Sequence, residues 1–486
     1  MAMLTKLVLF AGMAIPLLLT AQQLTPEMAS HARLAQDAER RNDFSAAVHE
    51  YRLLVQTLPN SAQAQSNLGV ALYFDQEFRP AVEAFHKAIA IDPNLMAPHL
   101  FSGLAWYQLS NPDSAVPELE KAVRINTKDP IAHTWLGYAY SSQTRYDAAV
   151  KQFEAASHLD SNNIDAWYAL GHTWLQIGQQ STLKLLALAP DGGRVWELAA
   201  EQCVLRHDRK GALQDFTQAL ARRPDLPELR KDIEEQGGPA DQASSAEHFT
   251  KGPTAEDDLY RQARAAETQS HEAFEHVLQI APDSYRAHQI MAEAFVSEKQ
   301  DAKAISEYRT VLQLKPDLPG IHAALGEALI RSGKLPEALQ EFKAEIQLQP
   351  YSASAHMNAG RALLMLGRDD DAEKMLKAAI GMDRPPLETW LLMGKLDVRG
   401  GNFRAAIAEL THYTSLEKNN STDYYLMAIA YRALDEKDQM NHALARYKAT
   451  SEDAQERSLA QRELKPVEQS SGVDEQVFSE GKHIVK

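Results

Sequence analysis

Cysteine is almost lacking from this chain, whose 486 residues include only Cys203. One thiol cannot form an internal disulfide, so a disulfide-stapled secreted fold is excluded and stability has to come from packing. Cys203 stands at a position that is apolar in the periodic sequence pattern of this chain. A buried small hydrophobic side chain is therefore its first interpretation, and a reactive or intermolecularly paired thiol is the alternative.

Long hydrophobic runs are lacking as well. The N-terminal apolar stretch, residues 7–19, has 13 residues, and a membrane-spanning helix needs ~20. Lys6 precedes this stretch and Thr20-Ala21 follows it, a pattern typical of a secretory signal peptide over residues 1–21. We therefore expect an exported protein, periplasmic or extracellular, with no membrane span after cleavage. An uncleaved anchor is the alternative.

Positive charge is scarce. The chain has 50 lysines and arginines against 66 acidic residues, and loss of residues 1–21 removes Lys6, which leaves 49 minus 66, or −17. Such an excess of negative charge repels phosphate backbones and anionic lipid headgroups. We therefore expect no binding of nucleic acid.

Catalytic signatures are lacking too: there is no glycine-rich phosphate loop, no G-x-S-x-G elbow and no paired-cysteine metal site. The nearest motif is HEAFEH, with His271 and His276 five residues apart. At 3.6 residues per turn these histidines point roughly 140° apart around a helix, whereas H-E-x-x-H zinc sites need them on one face. We predict no enzyme, no cofactor and no metal.

What the chain has is a repeat. Residues 62–94 return in degenerate form from Met28 almost to the C-terminus. Leu68 and Leu72 share one face of a first helix, and Ala81, Phe85 and Ala88 share one face of a second. Gly69 permits close approach of the two helices, and Pro93 stops the second one. The segment resembles the tetratricopeptide repeat, a pair of antiparallel helices in 34 residues.

The resemblance implies an all-α solenoid, a right-handed superhelix of about twelve helix hairpins in two lobes. The predicted N-terminal lobe, residues 28–236, has six repeats and a cap helix. Residues 237–253 are interpreted as a linker, and residues 254–449 as a C-terminal lobe of six repeats. A helix at 450–464 and a disordered tail at 465–486 complete the prediction.

Two repeats fit the pattern poorly. In the fifth, Pro190 arrives about five residues early, which predicts a short or irregular second helix. The seventh, which ends at Pro282, is compressed at its turn. It begins with Thr254 and Asp257, which resemble a capping box.

A row of histidines occupies the fourth position of successive repeats: His99, His133, His288, His322 and His356. Equivalent positions on packed helices lie about 8–10 Å apart or more, which is too far for the imidazoles to share one metal ion. We predict that these histidines are packing residues.

The family resemblance also implies a binding scaffold, in which the first helices line a concave groove. In repeats three to five the groove positions are aromatic: Phe101, Tyr107, Trp135, Tyr138, Tyr168 and His172. Exposed rings are the usual anchors of a peptide interface. Burial of these rings against one another is the alternative.

The same positions in repeats nine to twelve are cationic or amide: Arg331, Asn358, Arg361, Lys395, Arg399 and Arg432. Clustered cations in an acidic chain suggest a second binding face, with solvated charges paired to Glu327 or Glu388 as the alternative. The leading hypothesis is a non-enzymatic exported adaptor that binds a peptide or helix of a partner protein. The alternative is a carbohydrate-handling scaffold of an envelope or polysaccharide-export assembly, whose aromatic face stacks on a glycan.

Overall fold

The computed structural model describes residues 25–205, 207–226, 228–238, 254–382, 384–416 and 421–451. The predicted signal peptide, most of the predicted linker and nearly all of the predicted terminal helix and tail lie outside these residues, so those assignments stay predictions. The described residues form 23 helices and no strand. The all-α class and the solenoid of helix hairpins are confirmed.

Twelve helices precede residue 239. In chain order they are α1 (Pro26–Arg40), α2 (Phe44–Thr57), α3 (Ala62–Phe74), α4 (Phe78–Ile91), α5 (Met96–Gln108), α6 (Pro112–Ile125), α7 (Pro130–Ser142), α8 (Tyr146–Leu159), α9 (Ile164–Leu188), α10 (Gly193–Leu205), α11 (Arg209–Arg222) and α12 (Glu228–Glu235).

Eleven helices follow. They are α13 (Ala255–Ile280), α14 (Tyr285–Ser297), α15 (Asp301–Leu314), α16 (Ile321–Arg331), α17 (Leu335–Leu348), α18 (Ala353–Met365), α19 (Asp369–Ile380), α20 (Glu388–Gly400), α21 (Phe403–Leu416), α22 (Ser421–Ala433) and α23 (Lys437–Thr450).

A left-handed residue turns the chain between the two helices of a hairpin. Residues with positive φ stand at such turns every 34 positions, first at Asn42, Gln76, Ser110 and Thr144 and later at Lys299, Gly333, Gly367, Gly401 and Asp435, and others lie outside this series. A single αL residue is the common way to end a helix and reverse the chain. The series breaks between Thr144 and Lys299, and the fold changes there.

A glycine on the first helix and a bulky residue 16 positions later on the second fix the spacing within a hairpin. A Cβ added to Gly69 would lie 2.5 Å from the Phe85 ring, and one added to Gly137 would lie 2.6 Å from the Phe153 ring. The same relation joins Gly326 with Phe342, Gly103 with Leu119, Gly360 with Leu376 and Gly394 with Leu410. Only glycine lets the bulky side chain enter the space between the helices.

The fifth repeat departs from this rule and is completed by a distant helix. α9 is one continuous helix of 25 residues, and the residue 16 positions after Gly171 is Ala187, which is too small to fill the gap. Phe274 of α13 fills it instead: a Cβ on Gly171 would lie 2.6 Å from that ring. α9 therefore packs lengthwise on α13.

Two helix-level predictions are thus wrong. The fifth repeat has no short or irregular second helix after a turn, because α9 runs unbroken from Ile164 to Leu188. The seventh is not a compressed hairpin, because α13 is a single helix of 26 residues. Pro190 marks the end of α9 and not the end of a second helix. The predicted capping box of Thr254 and Asp257 is confirmed.

Helices α10 to α12 lie in the sequence between α9 and α13. α10 and α11 form a hairpin, α12 packs on α11, and the three helices share a small core of their own. Ala212, Phe216 and Leu229 are buried in it, with Trp196 and Cys203 packed at its edge. Cys203 is half-buried, and its Sγ lies 3.6 Å from Oδ2 of Asp215.

A buried ion network joins this hairpin to the start of α13. Arg194 Nε lies 2.7 Å from Oδ1 of Asp257, and Arg194 Nη1 lies 2.6 Å from Oε2 of Glu197. Arg223 Nη1 approaches Oδ1 of Asp257 at 3.1 Å. Burial raises the pKa of Asp257, but hydrogen bonds from both arginines outweigh it and hold that pKa well below its usual range. Both arginines therefore fix α10 and α11 to the first turn of α13.

The chain divides into two compact units. The first unit includes the described residues up to Tyr107 and Pro112–Ala287. The second includes Gln108–Asn111 and the described residues from His288 onward. The pairing of α9 with α13 lies within the first unit and spans the segment interpreted as a linker.

Candidate partner-binding faces

Two sets of side chains stand at the groove positions of first helices. We call Phe101, Tyr107, Trp135, Tyr138, Tyr168 and His172 the aromatic face; it lies on α5, α7 and α9 of the first unit. We call Arg331, Asn358, Arg361, Lys395, Arg399 and Arg432 the cationic face; it lies on α16, α18, α20 and α22 of the second unit.

The aromatic face is largely buried. Phe101 is 2% exposed, Trp135 6% and Tyr168 8%, which agrees with the alternative that these rings are buried against one another. Phe101 lies in the core, with its ring 6.1 Å from that of Phe85. The groove positions of adjacent first helices approach closely enough for their large side chains to cover one another.

A chain of edge-to-face contacts joins the middle of the aromatic face. The Trp135 ring lies 5.5 Å from that of Tyr107 and 5.6 Å from that of Tyr138. Tyr138 in turn lies 5.3 Å from Phe153 of α8. Tyr107 and Tyr138 are half-buried, and burial raises the pKa of both phenols. The two phenols stay neutral at ordinary pH and act as packing and hydrogen-bonding groups.

The last part of the aromatic face packs on α13. His172 lies 4.4 Å from the Tyr168 ring and 5.1 Å from that of Phe274, measured between ring centroids. Both residues therefore line the junction of α9 and α13. Phe274 takes the place that the bulky residue of the second helix has in the other hairpins.

Arg286, which the sequence pattern did not single out, covers the ring of Tyr168. Its guanidinium carbon lies 4.3 Å from the centre of the Tyr168 ring, a cation–π distance, and its Nε lies 2.7 Å from Oδ1 of Asp165. The Tyr285 hydroxyl donates to Oδ2 of Asp165 at 2.7 Å. Arg286 occupies the second position of its repeat, which is a groove position, so the 34-residue register could have found it.

Most arginines of the cationic face are paired with carboxylates. Arg331 Nε lies 2.7 Å from Oδ1 of Asp301. Arg399 Nη2 lies 3.1 Å from Oδ1 of Asp369, and its Nη1 donates to the carbonyl oxygen of Leu364 at 3.1 Å. Exposed pairs of this kind contribute about 0–1 kcal/mol. Asp301 and Asp369 of the second unit thus neutralise part of the charge of Arg331 and Arg399.

Arg361 lies between two acidic residues and one amide. Its Nη2 is 3.4 Å from Oε1 of Glu327, and its Nη1 is 3.8 Å from Oε1 of Glu388. Nη2 also donates to Oδ1 of Asn358 at 3.2 Å, while its Nε is buried without a hydrogen-bond partner. The pairing that the sequence analysis kept as an alternative, with Glu327 and Glu388, is present at this residue.

Lys395 differs from the arginines. It is half-buried and forms no ion pair within the described part of the second unit. Burial lowers the pKa of its ammonium group, and the charge of Glu388 only opposes this. Arg432 lies on the exposed last turn of α22. The cationic face therefore contains one partly desolvated ammonium group, Lys395, and Glu388 acts on both Lys395 and Arg361.

The histidines of the HEAFEH motif do not converge. His271 is exposed, whereas the His276 ring lies against that of Trp167 at 4.2 Å between ring centroids. Among the described residues, no group of three or more histidine, cysteine or acidic side chains is placed to hold a metal ion. No helix in the described ranges is both apolar and long enough to cross a bilayer.

A family model described as tetratricopeptide repeat matches residues 33–96, 102–164 and 323–386. Over these three stretches, which make up less than half of the chain, the sequence matches tetratricopeptide repeats. The matched stretches include hairpins of both units, whereas the inserted helices α10 to α12 lie outside them.

Three solved structures illustrate the likeness of fold. Pseudomonas aeruginosa pilF is 20% identical with a TM-score of 0.37, over 41% of this chain and 91% of that one. TTC0263, a thermophilic TPR protein of Thermus thermophilus, is 15% identical with a TM-score of 0.34, over 56% and 100%. The Cut9–Hcn1 hetero-tetramer of the APC/C is 14% identical with a TM-score of 0.37, over 91% and 97%. No curated protein matches the chain.

Proposed function

We propose that the chain is a non-enzymatic, exported scaffold that binds an extended or helical segment of a partner protein. The observation that carries the proposal is the environment of Lys395, which is half-buried, feels the charge of Glu388 and has no ion-pair partner in the described part of the second unit. A desolvated cation gains more from a partner's carboxylate than a solvated one does. The contact surface is therefore the cationic face.

The aromatic face has a secondary role in this proposal. Its rings are packed against one another, with Tyr168 under Arg286, so they support the shape of the groove and offer little free surface to a ligand. The alternative of a carbohydrate-handling scaffold required open rings for stacking. Trp135 is 6% exposed, and that alternative gains no support.

The exported location rests on the pattern of residues 1–21. We propose cleavage after Ala21 and a periplasmic or extracellular protein. N-terminal sequencing of the protein purified from its native host should begin at Gln22. A mature protein that still begins at Met1 would contradict the export proposal and leave the binding proposal untouched.

The binding proposal is tested by affinity capture with variants of the chain as bait. We expect a specific partner to be retained by the unaltered chain and lost, by tenfold or more, with Arg361→Ala combined with Lys395→Ala. Lys374→Ala is the matched control, because Lys374 is an exposed lysine on the second helix α19. The control should retain the partner fully.

Two results would count against this assignment. One is equal retention of the partner by the unaltered chain and by the Arg361/Lys395 double variant. The other is capture that fails with Lys374→Ala, which would place the contact on the second helices. Retention by Trp135→Ala combined with Tyr138→Ala would leave the cationic face as the sole contact surface.

A further inference from the structure

Most histidines at the fourth position of first helices are hydrogen-bonded to the second helix of the same hairpin, whereas His356 bonds the carbonyl oxygen of Ser352 at the start of its own helix. The partner is a glutamate 19 residues later in four hairpins, two in each unit. The Nδ1 to Oε2 distances are 2.6 Å for His31 and Glu50, 2.7 Å for His99 and Glu118, 2.7 Å for His288 and Glu307, and 2.6 Å for His322 and Glu341. The histidine row thus joins helices, in addition to packing.

The other ring nitrogen also faces an acceptor where its contact is defined. Nε2 of His99 lies 3.1 Å from the carbonyl oxygen of Pro93, and His322 bonds the backbone of Pro316 in the same way. A carboxylate and a carbonyl can only accept hydrogen bonds. Both contacts are therefore satisfied together only when both nitrogens carry a proton, that is, when the imidazole is charged.

In a fifth hairpin the partner of the histidine is a neutral glutamine instead of a glutamate. His133 has the same position and the same Nε2 contact, 3.1 Å from the carbonyl oxygen of Thr127, but its Nδ1 faces the side-chain amide of Gln152 at 2.8 Å. An amide can turn to donate to a neutral imidazole. This hairpin is joined equally well by the neutral ring, so its contact does not require a proton.

We propose that the four histidine–glutamate pairs are pH-dependent clamps, which hold the two helices of a hairpin together more tightly in mildly acidic than in alkaline solution. Each pair is a hydrogen bond between two opposite charges while its imidazole is protonated, and a weaker bond between a neutral ring and a carboxylate when it is not. Loss of that proton leaves a neutral imidazole with a single N–H, which at His99 and His322 cannot donate to both the carboxylate and the carbonyl oxygen.

His322 shows the direction in which a paired glutamate shifts the pKa of the histidine. Two carboxylates of α17 face it, those of Glu341 and Glu345, and the hydrogen bond to Glu341 is the main reason that the pKa of His322 is raised. Glu345 itself accepts from the backbone N–H of Gly320 at 2.8 Å. A raised pKa stabilises the folded chain below the unfolded histidine's pKa of about 6.5, and that stabilisation is lost as pH rises through the folded value.

For the other three clamps, the carboxylate within 4 Å of the ring among the described residues is the paired glutamate. Two further buried carboxyls titrate in the same range: burial raises the pKa of Glu39 to about 7 and that of Glu409 to about 8. Their deprotonation also destabilises the fold as pH rises. The effect of the clamps therefore has to be measured as a difference between variants.

The test compares the full chain with a variant in which Glu50, Glu118, Glu307 and Glu341 are each changed to Gln. Thermal unfolding is followed at pH 6 and at pH 8.5, and hydrogen exchange at the histidine C2 position is followed against pH by mass spectrometry. We expect the unaltered chain to unfold at a temperature higher than the variant's by about 2 °C or more at pH 6. We expect this difference to shrink at pH 8.5.

Gln152→Glu is the matched gain-of-function variant. It creates a fifth clamp at His133 and should increase the pH dependence of unfolding in the same sense. Equal differences at both pH values, or no added dependence in Gln152→Glu, would overturn the proposal. If the fourfold variant fails to fold, Glu341→Gln alone decides: the titration midpoint of His322 should fall, and an unchanged midpoint contradicts the clamp.

Discussion

At the scale of single residues, spacing within a hairpin depends on one glycine and one bulky partner 16 positions later. The pair is readable from the sequence in six hairpins, such as Gly69 with Phe85. It was not readable in the fifth, because Gly171 is followed by Ala187, and its partner Phe274 is 103 positions away. The small residue at position 187 was the available signal that the second helix had to come from elsewhere.

Gly171→Ala should destabilise the fold although alanine favours helices. The helix gains about 1 kcal/mol in propensity, but the new methyl would lie 2.6 Å from the Phe274 ring, and overpacking costs about 1–3 kcal/mol. Gly178→Ala on the same helix is the control, since its methyl would lie 3.5 Å from its neighbours. Denaturant titration should show a lowered midpoint for the first variant only.

The control variant should be neutral or stabilised by up to about 1 kcal/mol. A Gly171→Ala chain that is as stable as the Gly178→Ala chain would mean that Phe274 does not occupy the gap. The assignment of α13 as the partner of α9 would then be wrong.

At the scale of helices, the fold departs from a regular array where a turn is missing. The 34-residue series of left-handed residues reaches Thr144 and would next require one at Gly178, which instead lies inside α9. The sequence could not show this, because glycine suits both a turn and a close helix contact. Counted back from Lys299, the preceding place is Ala265, which is likewise inside α13.

Cutting the chain between α12 and α13 should not separate its halves. A protease site inserted between Ser244 and Ser245 and then cleaved leaves α9 on one fragment and α13 on the other. We expect the fragments to elute together in size-exclusion chromatography, because α9 and α13 pack lengthwise and Asp257 binds Arg194 and Arg223 across the cut.

Asp257→Asn in the cleaved chain should weaken this association, since it leaves two buried guanidinium groups with one carboxylate fewer. The predicted arrangement of two lobes joined only by a linker gives the opposite result. Fragments that separate on cleavage under native conditions would favour that arrangement and contradict the pairing of α9 with α13.

At the scale of the whole molecule, the sequence repeat predicted the fold class. It did not predict which side chains of the aromatic face are buried or which of the cationic face are ion-paired. The 34-residue register assigned the groove positions and could not tell which rings a neighbouring helix covers. Burial of Trp135 depends on Tyr107 and Tyr138 from two helices, and the Arg331 pair depends on Asp301, 30 residues away. Such contacts depend on side-chain packing, which a periodic pattern does not specify.

The central claim is that first helices of the second unit bind the partner. The most direct measurement is backbone hydrogen exchange of the full chain, read by mass spectrometry with and without the captured partner. We expect the partner to slow backbone exchange in α18 and α20, which contain Arg361 and Lys395, and to leave exchange in α19 and α21 unchanged. Slowing confined to α19 and α21 would contradict it.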